Sequence, residues 1–204
     1  MQNDTLIFAT NNQHKVEEIR SVIGAGFDII TLKEAGIDID IPEPHDTISA
    51  NASEKSKTIY RLTQKNCFGE DTGLEVKMLN GEPGVKSARY AGDHKNFDAN
   101  IDKLLLKLNG ITDRAAHFKT VISLMWNGDE YLFEGVTKGK IIYERKGSNG
   151  FGYDPVFIPE DGNKTFGEMT LPEKNEFSHR RKATDQLIGF LKKQFANIAH
   201  KQNL

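Results

Sequence analysis

Apolar positions along this chain follow two periods, and the switches between them mark out most of its elements. Leu6-Ile7-Phe8-Ala9 is a short continuous apolar run, as in a strand covered on both faces. From His14 to Ile23 the interval lengthens, with Val16, Ile19, Val22 and Ile23 at helical spacing, so Thr10 to Lys15 is predicted to join a strand to a helix. Phe27 to Leu32 is predicted as a second strand. Ile41-Pro42-Glu43-Pro44 must be extended or loop, and Thr47 is placed to cap a helix through Lys55 towards Leu62. Cys67-Phe68-Gly69 leads as a short strand into Glu70-Asp71-Thr72-Gly73, after which Leu74, Val76 and Met78 alternate and Asn80-Gly81 signals a turn. Phe97, Ile101, Leu104, Leu105 and Leu108 form the apolar face of one helix. Ala115 to Trp126 and Glu130 to Thr137, joined by Asn127-Gly128-Asp129, read as a long hairpin, with Lys140 to Tyr143 as a further strand. A last helix is predicted from about Ser178 to Phe195. Strand-helix units mixed with hairpins predict an α/β protein with a mixed sheet, and no repeat, low-complexity tract or linker divides the 204 residues into more than one domain.

Composition narrows the functional classes. No apolar run approaches the roughly 18 residues that a membrane span needs. The opening Met1-Gln2-Asn3-Asp4-Thr5 has neither a basic region nor a long apolar stretch, so a cytoplasmic location is expected. A net charge of −2 argues against capture of a nucleic acid polymer, while leaving room for a local basic pocket. Cys67, the single cysteine, has no internal partner for a disulfide and is expected in the core.

Four segments carry candidate chemistry. Thr10-Asn11-Asn12-Gln13-His14-Lys15 puts small polar groups and a lysine at a strand-to-helix turn, which suits either a helix cap or a seat for phosphate on free backbone N–H groups. Asp71 ends an apolar strand before Thr72-Gly73, and Glu43 sits between two prolines. Two such carboxylates can share one Mg2+ with substrate phosphates, and Glu70 offers a third; equally, Asp71 can cap a turn and Glu43 can be solvated. Phe151-Gly152-Tyr153-Asp154-Pro155 follows a flexible Gly147-Ser148-Asn149-Gly150 approach, so its ring can stack on a base or pack in a core. His179 and Arg180 are expected in the first turn of the last helix as a cationic donor pair, set against the helix dipole. Lys174, ahead of them, is by default solvated.

Together these segments resemble the inosine triphosphate pyrophosphatase family, which hydrolyses non-standard purine nucleoside triphosphates. The resemblance runs through Thr10-x-Asn12-x-x-Lys15, Asn51-Ala52-x-x-Lys55, Asp71-Thr72-Gly73-Leu74 and Pro83-Gly84-Val85-x-Ser87-Ala88-Arg89-Tyr90. It continues in Phe151-Gly152-Tyr153-Asp154-Pro155 and Ser178-His179-Arg180-x-x-Ala183. It implies an elongated α/β fold of two lobes, a mixed, twisted central sheet flanked by helices, a cleft between the lobes, a homodimer and dependence on Mg2+. It also implies that Thr10, Asn11, Asn12, Gln13, His14, Lys15, Thr72, Phe151, Gly152, Tyr153, Asp154, Lys174, His179 and Arg180 contact the nucleotide. Glu43 and Asp71 would hold the metal, and Asp71 would accept the proton. The expected reaction converts the triphosphates of inosine, deoxyinosine and xanthosine to monophosphate and pyrophosphate. A Maf-like pyrophosphatase with a different base preference and a non-catalytic nucleotide sensor are the rival readings. The chain departs from many relatives at Ser49-Ala50, where they carry an acid, and at Lys86, where they carry an aromatic residue.

Overall fold

Strand β3 (Cys67–Val76) is the axis on which everything else is hung. In the computed structural model, which describes residues 5–23 and 27–202 and side chains through Ala196, it carries neighbours on both edges. Along one edge it pairs antiparallel over its whole length with β5 (Ala115–Trp126), which continues through β6 (Asp129–Ile141) to β7 (Phe157–Pro159). The other edge is shared. β1 (Thr5–Phe8) pairs parallel at Cys67 and Phe68, and β4 (Pro83–Gly84) pairs antiparallel at Leu74 and Glu75. β2 (Asp28–Thr31) lies parallel on β1, so the sheet order is β2-β1-β3-β5-β6-β7 with β4 beside β3. This is the mixed α/β sheet expected. Met1 to Asp4, the start of the segment considered for a leader, lie outside the described residues.

Alternation along the strands sorts the core onto two faces. Leu6, Phe8, Phe68, Ile122, Leu124 and Trp126 meet α1 (Gln13–Ile23) and α5 (His179–Gln202) on one face. Ile7, Ala9, Cys67 and Met125 meet α2 (Ile48–Thr63) on the other, where Thr47 accepts the cap hydrogen bond from the Ala50 N–H. Beyond Leu74 a separate cluster gathers Val76, Phe118, Phe157 and Phe166 with Leu104 and Leu108 of α3 (Phe97–Lys107) and the turn after it. The cleft opens between these clusters.

Two glycines let helices approach the sheet closely enough to place the site. A Cβ on Gly69 would stand 2.5 Å from the Ala52 carbonyl oxygen, so α2 lies directly on β3. A Cβ on Gly135 would stand 2.0 Å from the His179 carbonyl oxygen and 2.7 Å from the Ala183 nitrogen, so only glycine admits the first turn of α5 here. Gly135→Ala is therefore expected to lower unfolding stability by about 1–3 kcal/mol, the range for overpacking, in urea denaturation followed by circular dichroism.

Three elements differ from expectation. Lys140 to Tyr143 is not a separate strand: β6 runs without a break to Ile141, because the pairing with β5 extends to Ala115↔Lys140. Met78 leaves the alternation, since Lys77–Leu79 forms a short 3-10 turn that leaves the side chain exposed. α4 (Leu171–Phe177) and β7 are too short for a period to show in sequence, although Thr170 and Glu173 form a capping box at the start of α4.

Candidate active site

Between Phe68 and Leu74 no strand among the described residues lies beside one edge of β3, since β1 has turned away and β4 has not begun. Glu70, Asp71 and Thr72 lie in that gap. The Glu70 carbonyl is taken by two ammonium groups, Lys55 at 3.0 Å and Lys15 at 3.4 Å. This is the physical reason for the lysines in two of the motifs: side-chain cations finish a hydrogen-bond ladder where the sheet opens.

Alternation then sends successive side chains to opposite walls. Asp71 faces α2, where its Oδ1 meets Lys55 at 3.1 Å and the same ammonium holds Glu43 Oε1 at 2.5 Å. Glu43 Oε2 receives Arg89 at 2.7 Å. The Pro-Glu-Pro loop carrying Glu43 is clamped by buried Asn51, which accepts from the His45 N–H at 3.0 Å and donates to the His45 carbonyl at 3.1 Å. Glu70 and Thr72 face the other wall and bond Arg180 at 3.2 and 3.1 Å. Lys15 approaches Glu70 Oε2 at 3.2 Å, an ion pair whose angle leaves that oxygen without a hydrogen bond.

From Arg180 the ionic chain continues into the recess under the aromatic loop. Arg180 pairs with Glu18, Glu18 Oε1 with Lys174 at 2.7 Å, and Lys174 with Asp154 at 2.6 Å. Asp154 in turn accepts the Phe151 N–H at 2.9 Å, which fixes the loop. The Phe151 ring lies over both cations, 5.3 Å from Lys174 and 5.5 Å from Arg180, and stacks on His14 at 5.1 Å. Alternating acids and bases thus run from the aromatic loop to Lys15, and the Glu70 carbonyl, shared by Lys15 and Lys55, joins them to the Lys55–Glu43–Arg89 cluster.

The network sets the ionisation of its members. Lys174 and Arg180 hold Glu18 down to about 2 against the opposing effect of burial. Lys55 and Arg89 likewise hold Glu43 at about 2, although burial, the largest single influence, pushes it up. For Asp71 the balance reverses: burial raises its proton affinity from the ordinary value, despite Lys55 and Lys15. Burial also lowers the His179 imidazole well below its ordinary value, with Arg180 and Lys174 adding to the effect.

Four buried polar atoms have no hydrogen-bond partner among the described residues: Glu70 Oε2, Asp71 Oδ2, His179 Nδ1 and Arg180 Nε. Leaving such atoms unpaired costs about 1–3 kcal/mol each, so a site that keeps them is built for something that satisfies them. Asp71 Oδ2 is a carboxylate oxygen suited to a cation, whereas Glu70 Oε2 already has the Lys15 ammonium beside it. The other two are nitrogens at the aromatic end. All four of these residues except Glu70 line one cleft of about 450 Å³, together with Thr10, Lys15, Glu43 and Phe151.

The predicted residues converge, with changes of role. Thr10, Asn11, Asn12, Gln13 and Lys15 all line the cleft, and the cap and ligand readings coexist, since Asn12 Oδ1 accepts the Lys15 N–H at 3.3 Å. His14 is held by its stack on Phe151. Thr72, Gly152, Tyr153 and Asp154 line the cleft, but the Tyr153 hydroxyl is donated to the Ser87 carbonyl at 2.9 Å and Asp154 faces Lys174. Lys174 is buried, not solvated, because two acids flank it. The expected cationic pair is one cation and one neutral ring: His179 is desolvated and stacks on Phe118 at 4.6 Å. Arg180 tolerates the helix N-terminus because Glu18 and Glu70 surround it. Sequence reasoning missed Glu18 and gave Lys55 and Arg89, both within the motifs, no role. Glu18 was legible only as an acid one helical turn past Lys15, on the face that carries Ile19 and Val16 inward.

A cleft with acids and ammonium groups at one end and an aromatic recess at the other suits a planar, anionic ligand. The chain belongs to the Ham1 family, whose pattern matches residues 6–190. It is 48% identical over 186 residues to the dITP/XTP pyrophosphatase of Flavobacterium johnsoniae, covering 91% of this chain and 97% of that protein. It is also 48% identical over 189 residues to that of Porphyromonas gingivalis, with 92% and 97% covered. The solved Ham1 protein of Staphylococcus aureus superposes with a TM-score of 0.86 at 40% identity, covering 94% of this chain and all of that one. No helix among the described residues is long and apolar enough to cross a membrane.

Proposed function

We propose that this protein hydrolyses non-standard purine nucleoside triphosphates, those of inosine, deoxyinosine and xanthosine, to the monophosphate and pyrophosphate. The observation that carries the reading is the set of unpartnered buried atoms on cleft-lining residues, Asp71 Oδ2 at one end and His179 Nδ1 and Arg180 Nε at the other. Relatives at up to 48% identity are named dITP/XTP pyrophosphatases, which supports the deoxyinosine and xanthosine substrates. The base lies in the recess beside Phe151, where Arg180 Nε donates to the carbonyl at the purine 6-position. Adenine presents an amino group there and leaves that donor unpaired. Neutral His179 keeps one ring nitrogen as donor and one as acceptor, matching the mixed edge of hypoxanthine. The triphosphate then runs past Asp71 towards Glu43, with Lys15 and the N–H groups at the start of α1 as counter-charges.

Mg2+ fits the acidic end. Among the described residues no group of three His, Cys, Asp or Glu is arranged to hold a metal alone. Two carboxylates with phosphate oxygens suffice for this ion, and Glu43 and Asp71 already share one cation, the Lys55 ammonium. When bound, Mg2+ shields charge on the phosphates. Asp71 accepts the proton of the attacking water as its oxygen bonds to the α-phosphorus and the bond to the bridging oxygen breaks, releasing pyrophosphate. Lys55 holds Asp71 for that step. Family membership extends the proposal to a homodimer in the cytoplasm.

Hydrolysis of inosine triphosphate in oxygen-18 water tests the cleavage site. The label is expected in the monophosphate. Label confined to pyrophosphate would place the attack at the β-phosphorus and refute the assignment.

A further inference from the structure

Arg89 has one side-chain partner among the described residues, Glu43 at 2.7 Å, and its side chain is 35% exposed on the wall of the cleft. Its backbone, by contrast, is fixed from three directions. Ser87, two residues earlier, accepts the Leu74 N–H of β3 at 2.9 Å and donates to the Gly84 carbonyl at 2.6 Å. Asn100 of α3 donates to the Ser87 and Ala88 carbonyls at 3.3 and 3.0 Å, and Tyr153 from the aromatic loop donates to Ser87. A rigid turn therefore presents a guanidinium whose only tether among the described residues is a carboxylate expected to bind metal.

Both oxygens of Glu43 are occupied by cations, Oε1 by Lys55 and Oε2 by Arg89. A divalent ion arriving there displaces at least one of them. Lys55 keeps Asp71 and the Glu70 carbonyl, whereas Arg89 keeps nothing. The order of groups along the cleft then decides where Arg89 goes. With the base at His179 and Arg180 and the α-phosphate at Asp71, the two outer phosphates lie towards Glu43. Arginine's planar fork matches phosphate oxygens in pairs. We propose that Arg89 is a substrate-contacting residue, which leaves Glu43 when a divalent cation takes that carboxylate and binds the outer phosphates that depart as pyrophosphate. This rests on the reading of triphosphate hydrolysis given above.

The test is calorimetric titration of inorganic pyrophosphate and, separately, inosine monophosphate into Mg2+-saturated protein, comparing the unaltered chain with Arg89→Gln and Arg89→Lys. Arg89→Gln is expected to weaken pyrophosphate binding on the order of ten-fold or more and to leave the monophosphate within about two-fold, with Arg89→Lys between. Thermal unfolding checks that the variants fold. Unchanged pyrophosphate affinity, with only a higher Mg2+ requirement, would mean that Arg89 merely positions Glu43 and would overturn the proposal. If the unaltered chain neither binds pyrophosphate nor turns over inosine triphosphate, the functional reading itself fails, and the proposal with it.

Discussion

Asp71→Asn is expected to reduce turnover of inosine triphosphate by at least ~10²-fold, the low end for loss of a general base, while leaving the protein as stable or more so. The two halves of that result have one cause. Burial raises the folded pKa of Asp71, so its ionised form opposes folding at neutral pH, and removing the charge relieves that cost. Lys55 does not lose its place, since Glu43 and the Glu70 carbonyl remain. Steady-state kinetics at saturating Mg2+ and urea denaturation on the same preparation measure both. A variant that loses stability in proportion to activity would show Asp71 to be structural.

Glu18→Gln is expected to cost about 3–5 kcal/mol of unfolding free energy, because it leaves Lys174 and Arg180 buried with their shared counter-ion gone. The effect carries a pH signature. Folding depresses the Glu18 pKa from 4.5 to about 2, so its contribution is fully present above pH ~4.5 and disappears as pH falls through ~2. The stability difference between the unaltered chain and Glu18→Gln therefore closes over that window in denaturation curves taken at several pH values. A gap that stays constant from neutral pH to the acid limit would show that packing, not charge, is what the substitution removes.

Much of this was legible in the sequence, for identifiable reasons. The helices α1 and α3 announce themselves because each buries one stripe at helical spacing, β1 because it is a short apolar run buried on both faces, and α2 because Thr47 caps it. The acids Glu43 and Asp71, the turn at Thr10 and the aromatic loop were visible because Pro, Gly and strand ends constrain their backbones. Ionic partnership was not. Glu18 and Arg89 differ from any surface acid or arginine only in what lies opposite them, and those partners are distant in sequence: Glu18 meets Lys174 and Arg180, and Arg89 meets Glu43. The ionisation of His179 was misread for the same reason, since the burial and neighbouring cations that keep it neutral are tertiary facts. Gly135 gave no local signal, because the helix that needs its missing side chain packs from the far end of the chain.

The most direct measurement is a panel of nucleoside triphosphates incubated with the protein with and without Mg2+, scoring pyrophosphate against orthophosphate. The account predicts Mg2+-dependent pyrophosphate from the inosine, deoxyinosine and xanthosine triphosphates, with adenosine triphosphate disfavoured by up to ~10⁴-fold in kcat/KM, as a site with unpaired buried donors allows. Orthophosphate and a diphosphate as products, or equal turnover of adenosine triphosphate, would contradict it.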